Sequence, residues 1–586
     1  MRVKQKEFAG MKMYPLVIAI LIFSNCSGQV ATSRAAQSNQ PNVIYILLDD
    51  VGFADLSPYG SEINTPNIEL LAKDGIRYNH FETRAICSPT RAALLTGRNN
   101  QTVGMLDLAV GAGPNTPAHS RGFITPEAGT IAQILKANGY RTSATGKWHL
   151  TPTREQADSV KNKSNWPTGK GFDNFYGWLT GWTDQYNPRG LGQEMMEGDH
   201  PAKEDNPGGN HVSEAIVDHA INYLKQGFAS SPQQPQFLYL AFGAGHSPIQ
   251  APKSYIDKYK GVYAKGWDKL REERFARQKQ LGIIPKDAVL TERFSDDPAW
   301  ETLSNDQKIV FAQFMTVYAG FIEHMDAQIG RLISYLKESG KYNNTLIFLM
   351  SDNGAAPEAG LTGGFSKPYG DTMTLAQMLE HLDDLGTEKS QPLYQRPWAM
   401  AGGSPFKRYK LWPYGGGVRD PLIITWPQVI RDKGAIRTQF VDVTDITPTV
   451  LDVLKIKAPA TLGDVKQMDM HGASILPSLT SAKAPAAHTT QLYVMRGNRA
   501  IYDKGWKAIA IHKAGTDFEQ DVWELYNVEK DFSESVDLAA KYPDKVKELK
   551  ALWWSQAEKY GALPLVERSL PAGNGGAGAR GGRGGE

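Results

Sequence analysis

Cys87 opens the run Cys87-Ser88-Pro89-Thr90-Arg91, which continues Ala92-Ala93-Leu94-Leu95-Thr96-Gly97-Arg98. Pro89 suits a first helical turn, where its missing N–H costs nothing, and Ala-Ala-Leu-Leu propagates the helix. Cys87 therefore sits at a helix mouth, where free N–H groups and the helix dipole favour an anion. Arg91 lies one turn on, on the same face, and its guanidinium is expected to reach back toward Cys87. Taken alone, a buried cysteine opening an ordinary helix explains the run equally well. Asp49, Asp50, Asp352 and Asn353 supply a second chemistry: all offer oxygen donors, which suits Ca²⁺ or Mg²⁺ rather than zinc. Carboxylates crowded together repel unless a dication sits among them; a hydrogen-bonded turn cluster is the plain alternative. Lys147, His149, His246 and Lys410 add cations and proton carriers.

These residues need a scaffold that brings them to one place, and the chain shows a recurring pattern that can. Asn42 to Leu48 is a continuous apolar run, typical of a strand buried on both faces, and it ends in Asp49-Asp50. Tyr140 to Thr145 reads as a strand followed by Gly146-Lys147-Trp148-His149. Phe237 to Phe242 leads to His246-Ser247-Pro248, and Thr345 to Met350 leads to Ser351-Asp352-Asn353-Gly354. In open α/β sheets, ligands bind past the carboxyl ends of the strands. Thr130 to Asn138, Val212 to Gln226 and Phe311 to Lys337 read as helices between them. Strands alternating with helices predict an α/β sandwich around a large mixed, mostly parallel sheet. His211, His219 and His324 fall on helices and read as packing residues. Leu422 to Trp426 is a further buried strand. Tyr502 to Ile511 and Asp521 to Val528 read as strands of a smaller α+β domain closed by a helix over Tyr542 to Tyr560. Residues 151–210 and 355–403 are long and Gly/Pro-rich, as loops lining a site are. Trp166, Trp178, Trp182 and Tyr186 in the first of these face either a sugar or aryl group, or loop packing.

Cys-x-Pro-x-Arg followed by Leu94-Leu95-Thr96-Gly97-Arg98 resembles the signature of the formylglycine-dependent (type I) sulfatases of the alkaline-phosphatase-like superfamily. The likeness runs from about Asn42 to about Ala562. It includes Trp523-Glu524-Leu525-Tyr526-Asn527 and, in the block Tyr255 to Pro285, is closest to long bacterial arylsulfatases. The resemblance implies that Cys87 is oxidised to 3-oxoalanine (formylglycine) by a maturation enzyme. It implies that Asp49, Asp50, Asp352, Asn353 and an oxygen of residue 87 bind Ca²⁺, ahead of Mg²⁺. It further implies that Lys147 and Lys410 contact sulfate, that Arg91 holds the modified residue, that His149 is a base and that His246 is an acid. Lys407 is the alternative second lysine, though the spacing to Gly416-Gly417 favours Lys410. One departure stands out: Gly415 occupies a position where most relatives carry an acidic or amide residue, which puts anchoring of the lysine loop in question. The implied activity is hydrolysis of aryl sulfates or sulfated carbohydrates. A phosphonate monoester or phosphodiester hydrolase and a non-catalytic binder of sulfated glycans are the alternatives.

Length and composition set the outer bounds. A chain of 586 residues suits one large domain plus a smaller one. The expected division is a signal peptide over 1–28, a catalytic domain over 40–485, a small domain over 486–565 and a flexible Gly-rich tail over 566–586. Lys+Arg 64 against Asp+Glu 62 gives no reason to expect nucleic acid or an anionic membrane as partner. The apolar run Leu16 to Phe23 behind Lys4, Lys6 and Lys12 reads as a secretory signal and is too short to span a bilayer. Two outcomes fit it: cleavage near Gly28, or lipidation of Cys26. The expected location is accordingly the periplasm, the outer membrane as a lipoprotein, or the medium. Cys87 would then be the sole thiol of the folded part, with no disulfide partner.

Overall fold

The strand Asn42–Leu48 is wholly buried, and its side chains alternate between two cores. Ile44, Ile46 and Leu48 join one apolar cluster and Val43, Tyr45 and Leu47 join the other, so both faces of the strand must be apolar. Around it the computed structural model, which describes residues 40–567 apart from 112, 114, 192, 205–209 and 366–372, builds a ten-stranded sheet. The expected signal segment with Cys26, and the tail beyond residue 567, lie outside the described residues.

In chain order the strands of this sheet are β1 (Asn42–Leu48), β2 (Ile76–Tyr78), β3 (Arg141–Lys147), β4 (Asn174–Trp178), β5 (Met196–Glu197), β6 (His200–Pro201), β7 (Gln236–Ala241), β8 (Thr345–Ser351), β9 (Leu422–Thr425) and β10 (Ile436–Arg437). They lie in the order β10-β2-β9-β8-β1-β7-β3-β4-β5-β6. The middle of the sheet is parallel: β8, β1, β7, β3 and β4 run the same way, while β9 and β5 turn antiparallel beside them. Parallel pairing puts the carboxyl ends of β1, β3, β7 and β8 at one edge, which is why the residues just past them meet.

Helices cover both faces. The principal ones are α1 (Pro66–Asp74), α2 (Cys87–Thr96), α3 (Ile131–Ala137), α4 (Val212–Ser230), α5 (Gly266–Leu281), α6 (Asn305–Glu338) and α7 (Ile446–Leu454). Residues of α1, α4, α5 and α6 pack into the first core, and those of α2, α3 and α7 into the second. Capping boxes start α3 (Thr130 with Gln133) and α6 (Ser304 with Gln307). His211, His219 and His324 are packed among aromatic rings, consistent with structural use.

The C-terminal part is an antiparallel sheet of β11 (Thr490–Met495), β12 (Asn498–Asp503), β13 (Trp506–Ala510) and β14 (Trp523–Asn527), covered by α8 (Pro543–Lys559). The stretch Tyr502 to Ile511 is not one strand. Lys504 and Gly505 both take positive φ (47° and 85°), and the chain reverses there as a two-residue hairpin. Within residues 151–210, Trp166 and Trp178 are core residues, Tyr186 is half-buried, and Trp182 is exposed. The described residues form one compact unit, and no described helix is long and apolar enough to cross a membrane.

Candidate active site

Helix α2 begins at Cys87 itself. Ile86 precedes it in extended conformation and provides no side-chain cap, so the helix opens on uncapped backbone N–H groups. Cys87 is buried, and it has no disulfide partner among the described residues. Its sulfur falls in two close groups of candidate ligand atoms. One is Asp49 with Asp352; the other is Asp50 with His246, the ligand atoms of each set lying within 4.8 Å of one another. Burial pushes the Cys87 thiol up to about 12, with Lys147 and Lys410 pulling the other way. An unmodified thiol here is a poor nucleophile at neutral pH.

The acidic half of the site comes from the ends of β1 and β8. Asp50 takes a left-handed backbone (φ 59°), and its N–H donates to Asp352 Oδ1 at 3.3 Å. Ser351 Oγ accepts from Val51 N–H at 3.0 Å and donates to the Asn353 carbonyl at 3.0 Å, tying the two strand ends together. Asn353 Nδ2 donates to Asp50 Oδ1 at 2.5 Å, while Asn353 Oδ1 is buried and accepts no hydrogen bond. Asp49, Asp50, Asp352 and Asn353 are all fully buried. Burial, reinforced by Asp352, pushes the Asp49 carboxyl up to about 6 against the pull of Lys147. Three buried carboxylates and an orphaned amide oxygen form a hard-donor set that fits a divalent cation.

The cationic half comes from α2, β3 and the loop before β9. Lys147 Nζ donates to both oxygens of Asp49, at 2.8 and 2.7 Å. Burial opposes its charge, but Asp49 and Cys87 outweigh it and raise the ammonium above its ordinary range. Arg91 feels the Cys87 sulfur electrostatically, but its hydrogen bonds go to the acids and the backbone. Its Nε donates to Asp352 Oδ2 at 2.9 Å, and one terminal nitrogen donates to the Lys147 carbonyl at 2.9 Å. The other terminal nitrogen lies 2.7 Å from Asp352 and 3.7 Å from Asp49. A forked guanidinium finds more charge in those two acids than in a protonated thiol. Lys410 Nζ donates to Asp50 Oδ2 at 2.8 Å and to Glu358 Oε1 at 2.9 Å. Lys407 points elsewhere, to Tyr526 Oη at 2.9 Å.

Two imidazoles complete the ring. His149, just past β3, has a left-handed backbone (φ 56°), and its carbonyl accepts from Ser88 Oγ at 2.7 Å. Burial, then Lys147 and Arg91, hold it well below the usual histidine range, so it is neutral at neutral pH. A Cβ on Gly181 would lie 2.6 Å from its ring, so Gly181 is what lets the loop close over it. His246 Nδ1 lies 2.6 Å from the Ser247 carbonyl, which only accepts, so Nδ1 carries a proton. Nε2 then faces Asp50 at 3.6 Å and Glu358 at 3.4 Å.

All ten residues singled out in the sequence thus meet at one edge of the sheet. Glu358 was not among them. It sits in the irregular stretch after Gly354, and no spacing in the sequence marks it. The lysine loop is anchored from the C-terminal part: Gly415 N–H donates to Glu534 Oε2 at 2.8 Å, and Tyr414 Oη donates to Glu524 Oε2 at 2.8 Å. Tyr493 and Met495 of β11 pack in the same apolar cluster as Cys87, Leu411 and Tyr414.

A family model described as Sulfatase matches residues 41–456, and one described as N-sulphoglucosamine sulphohydrolase, C-terminal, matches residues 407–558. An uncharacterized sulfatase of Schizosaccharomyces pombe is 33% identical over 542 residues, covering 89% of this chain and 94% of its own. An arylsulfatase of Klebsiella aerogenes is 32% identical over 486 residues, covering 79% and 96%. Among solved structures, Ps i-CgsB in complex with k-i-k-neocarrahexaose superposes with a TM-score of 0.62 at 23% identity, covering 91% of this chain and 95% of that one. The phosphonate monoester hydrolase of Agrobacterium radiobacter does so at 0.53 and 18%, covering 89% and 96%. At such identities the superpositions establish the alkaline-phosphatase-like fold, and the family model and sequence relatives establish the sulfatase family. The chain belongs to the sulfatase family and is a sulfuric ester hydrolase.

Proposed function

We propose that this chain hydrolyses aryl sulfates or sulfated carbohydrates to a phenol or alcohol plus inorganic sulfate, with formylglycine at position 87 and a bound Ca²⁺. The observation that carries the reading is the position of Cys87, on a helix start, between a buried oxygen-donor cluster and a set of fixed cations. Asp49, Asp50, Asp352, Asn353 and an oxygen of residue 87 would hold the ion, which supplies positive charge beside the sulfate and favours ionisation of a neighbouring hydroxyl. Formylglycine at this position, once hydrated, would supply one hydroxyl as the nucleophile toward sulfur and a second whose deprotonation would release sulfate.

The other residues do the binding and proton work. Lys147 and Lys410, held charged by Asp49 and Asp50, neutralise the sulfate oxygens, and electrostatic stabilisation of this kind is commonly the largest catalytic contribution. Arg91 keeps Asp352 and the end of β3 in register. His149, neutral and buried, accepts the proton from residue 87 on sulfate release. His246 keeps its Nδ1 proton on the Ser247 carbonyl; as the doubly protonated imidazolium, its Nε2 faced by Asp50 and Glu358, it gives the Nε2 proton to the leaving oxygen and becomes neutral. Each acid–base step is worth about 10²–10⁴-fold.

The arylsulfatase relative supports an aryl ester, and a structural neighbour in complex with D-glucosamine-2-N,6-O-disulfate keeps a sulfated sugar within the same reading. A separate maturation enzyme would modify Cys87, and the basic-then-apolar start of the chain supports export, with Cys26 as an alternative lipid-attachment site. The test pairs sulfate release with peptide mass analysis at position 87. Active protein should carry the aldehyde, and Cys87→Ala should bind ester without turning it over. Full activity with only a thiol at 87, or turnover by Cys87→Ala, defeats the reading. Parallel kinetics on aryl phosphodiesters would show whether the phosphonate or diester alternative fits better.

A further inference from the structure

Asp49, Asp50 and Asp352 are sealed from solvent and face the proposed ion. Glu358 is different. Its side chain is 32% exposed, against 5% for Lys410 and 12% for His246, and it belongs to neither ligand cluster around Cys87. Its carboxylate accepts from Lys410 Nζ at 2.9 Å and faces His246 Nε2 at 3.4 Å. Burial opposes its charge, but His246 and Lys410 outweigh it and hold the carboxyl well below the usual range. Glu358 is therefore a fixed negative charge beside the two groups that the functional reading gives to the ester.

Every anion seated against Lys410 and His246 must sit close to that charge, and the repulsion scales with the charge the anion carries. A sulfate monoester and a phosphodiester each carry one negative charge on a tetrahedral centre. A phosphate monoester has almost the same shape but carries two at neutral pH. Shape cannot separate these esters, whereas a carboxylate at the entrance can, by opposing the more highly charged one. We propose that Glu358 is a specificity residue, whose charge at the mouth of the site selects singly charged tetrahedral esters over doubly charged ones. The proposal rests on the sulfatase reading of the site, and it concerns substrate choice rather than the bond-breaking steps.

The experiment compares one aryl leaving group on three esters, as sulfate, methyl phosphodiester and phosphate monoester, in wild type, Glu358→Gln and Glu358→Asp. In Glu358→Gln the ratio of kcat/KM for the phosphate monoester to that for the sulfate should rise about tenfold, equivalent to about 1.4 kcal/mol. The diester-to-sulfate ratio should stay within about threefold, a shift below about 0.7 kcal/mol. Glu358→Asp keeps the charge and should keep the wild-type ratios. A disturbance of Lys410 would instead weaken the doubly charged ester most and lower its ratio to the sulfate; that result, an equal change in all three esters, or an unchanged monoester ratio overturns the proposal. Calorimetry on Cys87→Ala with and without Glu358→Gln, using phenyl sulfate and phenyl phosphate, reads the same preference without turnover. Phenyl phosphate should gain affinity relative to phenyl sulfate, and no relative gain overturns the proposal. If wild type releases no sulfate from any ester, the functional reading fails and the calorimetric comparison alone decides the role of Glu358.

Discussion

Arg91 offers the sharpest test of how the site is held together. Its side chain is fully buried, and it donates to Asp352 and to the Lys147 carbonyl, with Asp49 a further 3.7 Å contact. Arg91→Met keeps much of the bulk but uncovers two buried carboxylates, and breaking a buried pair in this way costs about 3–5 kcal/mol. Arg91→Lys retains a charge, yet one ammonium cannot span both Asp352 and the Lys147 carbonyl. The expected loss is one hydrogen bond involving a charged group, about 1.5–3 kcal/mol. Urea unfolding of the three proteins in chelator should therefore rank wild type above Arg91→Lys and Arg91→Lys above Arg91→Met. Saturating Ca²⁺ should narrow the gap for Arg91→Met, because a dication among Asp49, Asp50 and Asp352 supplies neutralising charge that the variant lacks. Equal stability of wild type and Arg91→Met in chelator would refute the argument. So would a Lys variant as damaged as the Met variant, because the fork geometry would then be irrelevant.

Three further outcomes are expected. Gly181→Ala places a methyl 2.6 Å from the His149 ring, and the ring is the part that can move. Activity should fall about 10²–10⁴-fold with little change in unfolding midpoint, and a fully active variant would remove His149 from the proposed mechanism. Glu534→Ala strips the acceptor from Gly415 N–H and the partner 2.9 Å from Lys507, at about 1–3 kcal/mol. It should also lower kcat/KM by loosening the loop that carries Lys410, whereas Glu534→Gln, which still accepts, should be milder; unchanged kinetics in both would detach the C-terminal sheet from the site. His488 is buried, and although burial lowers it, Asp445 at 2.8 Å outweighs this and raises it from 6.5 to about 9. A group raised on folding stabilises fully below pH 6.5 and loses that contribution as pH rises through 9, here up to about 3 kcal/mol. The stability gap between wild type and His488→Asn should therefore shrink between pH 6 and pH 9.5, and a constant gap would contradict the pairing.

The centre of the fold was readable because strands buried on both faces must be continuously apolar, and Asn42–Leu48 and Thr345–Ser351 are. The acids were readable because polar residues that interrupt such runs at their carboxyl ends have few structural uses. What the sequence hid depends on direction and distance. The helical spacing puts Arg91 on the face of Cys87, but it does not show that the guanidinium also binds Asp352 and Asp49 from distant strands. Tyr502 to Ile511 reads as one strand because its apolar residues run on past Lys504-Gly505, whereas the paired positive φ angles belong to the backbone. Trp166 and Trp178, counted as either ligand-facing or packing, are packed, since their surroundings come from strands and helices distant in sequence. Gly415 shows the same limit most clearly. A missing acidic or amide side chain there suggested a poorly anchored lysine loop. In the fold, a Cβ at 415 would lie 2.7 Å from the Phe406 ring, so a side chain is excluded by a contact nine residues away. The loop is held instead by Glu534, 119 positions later, which accepts from the backbone N–H of the same residue. Loop anchoring in this chain comes from a side chain far off in sequence, and no local spacing can reveal a contact of that kind.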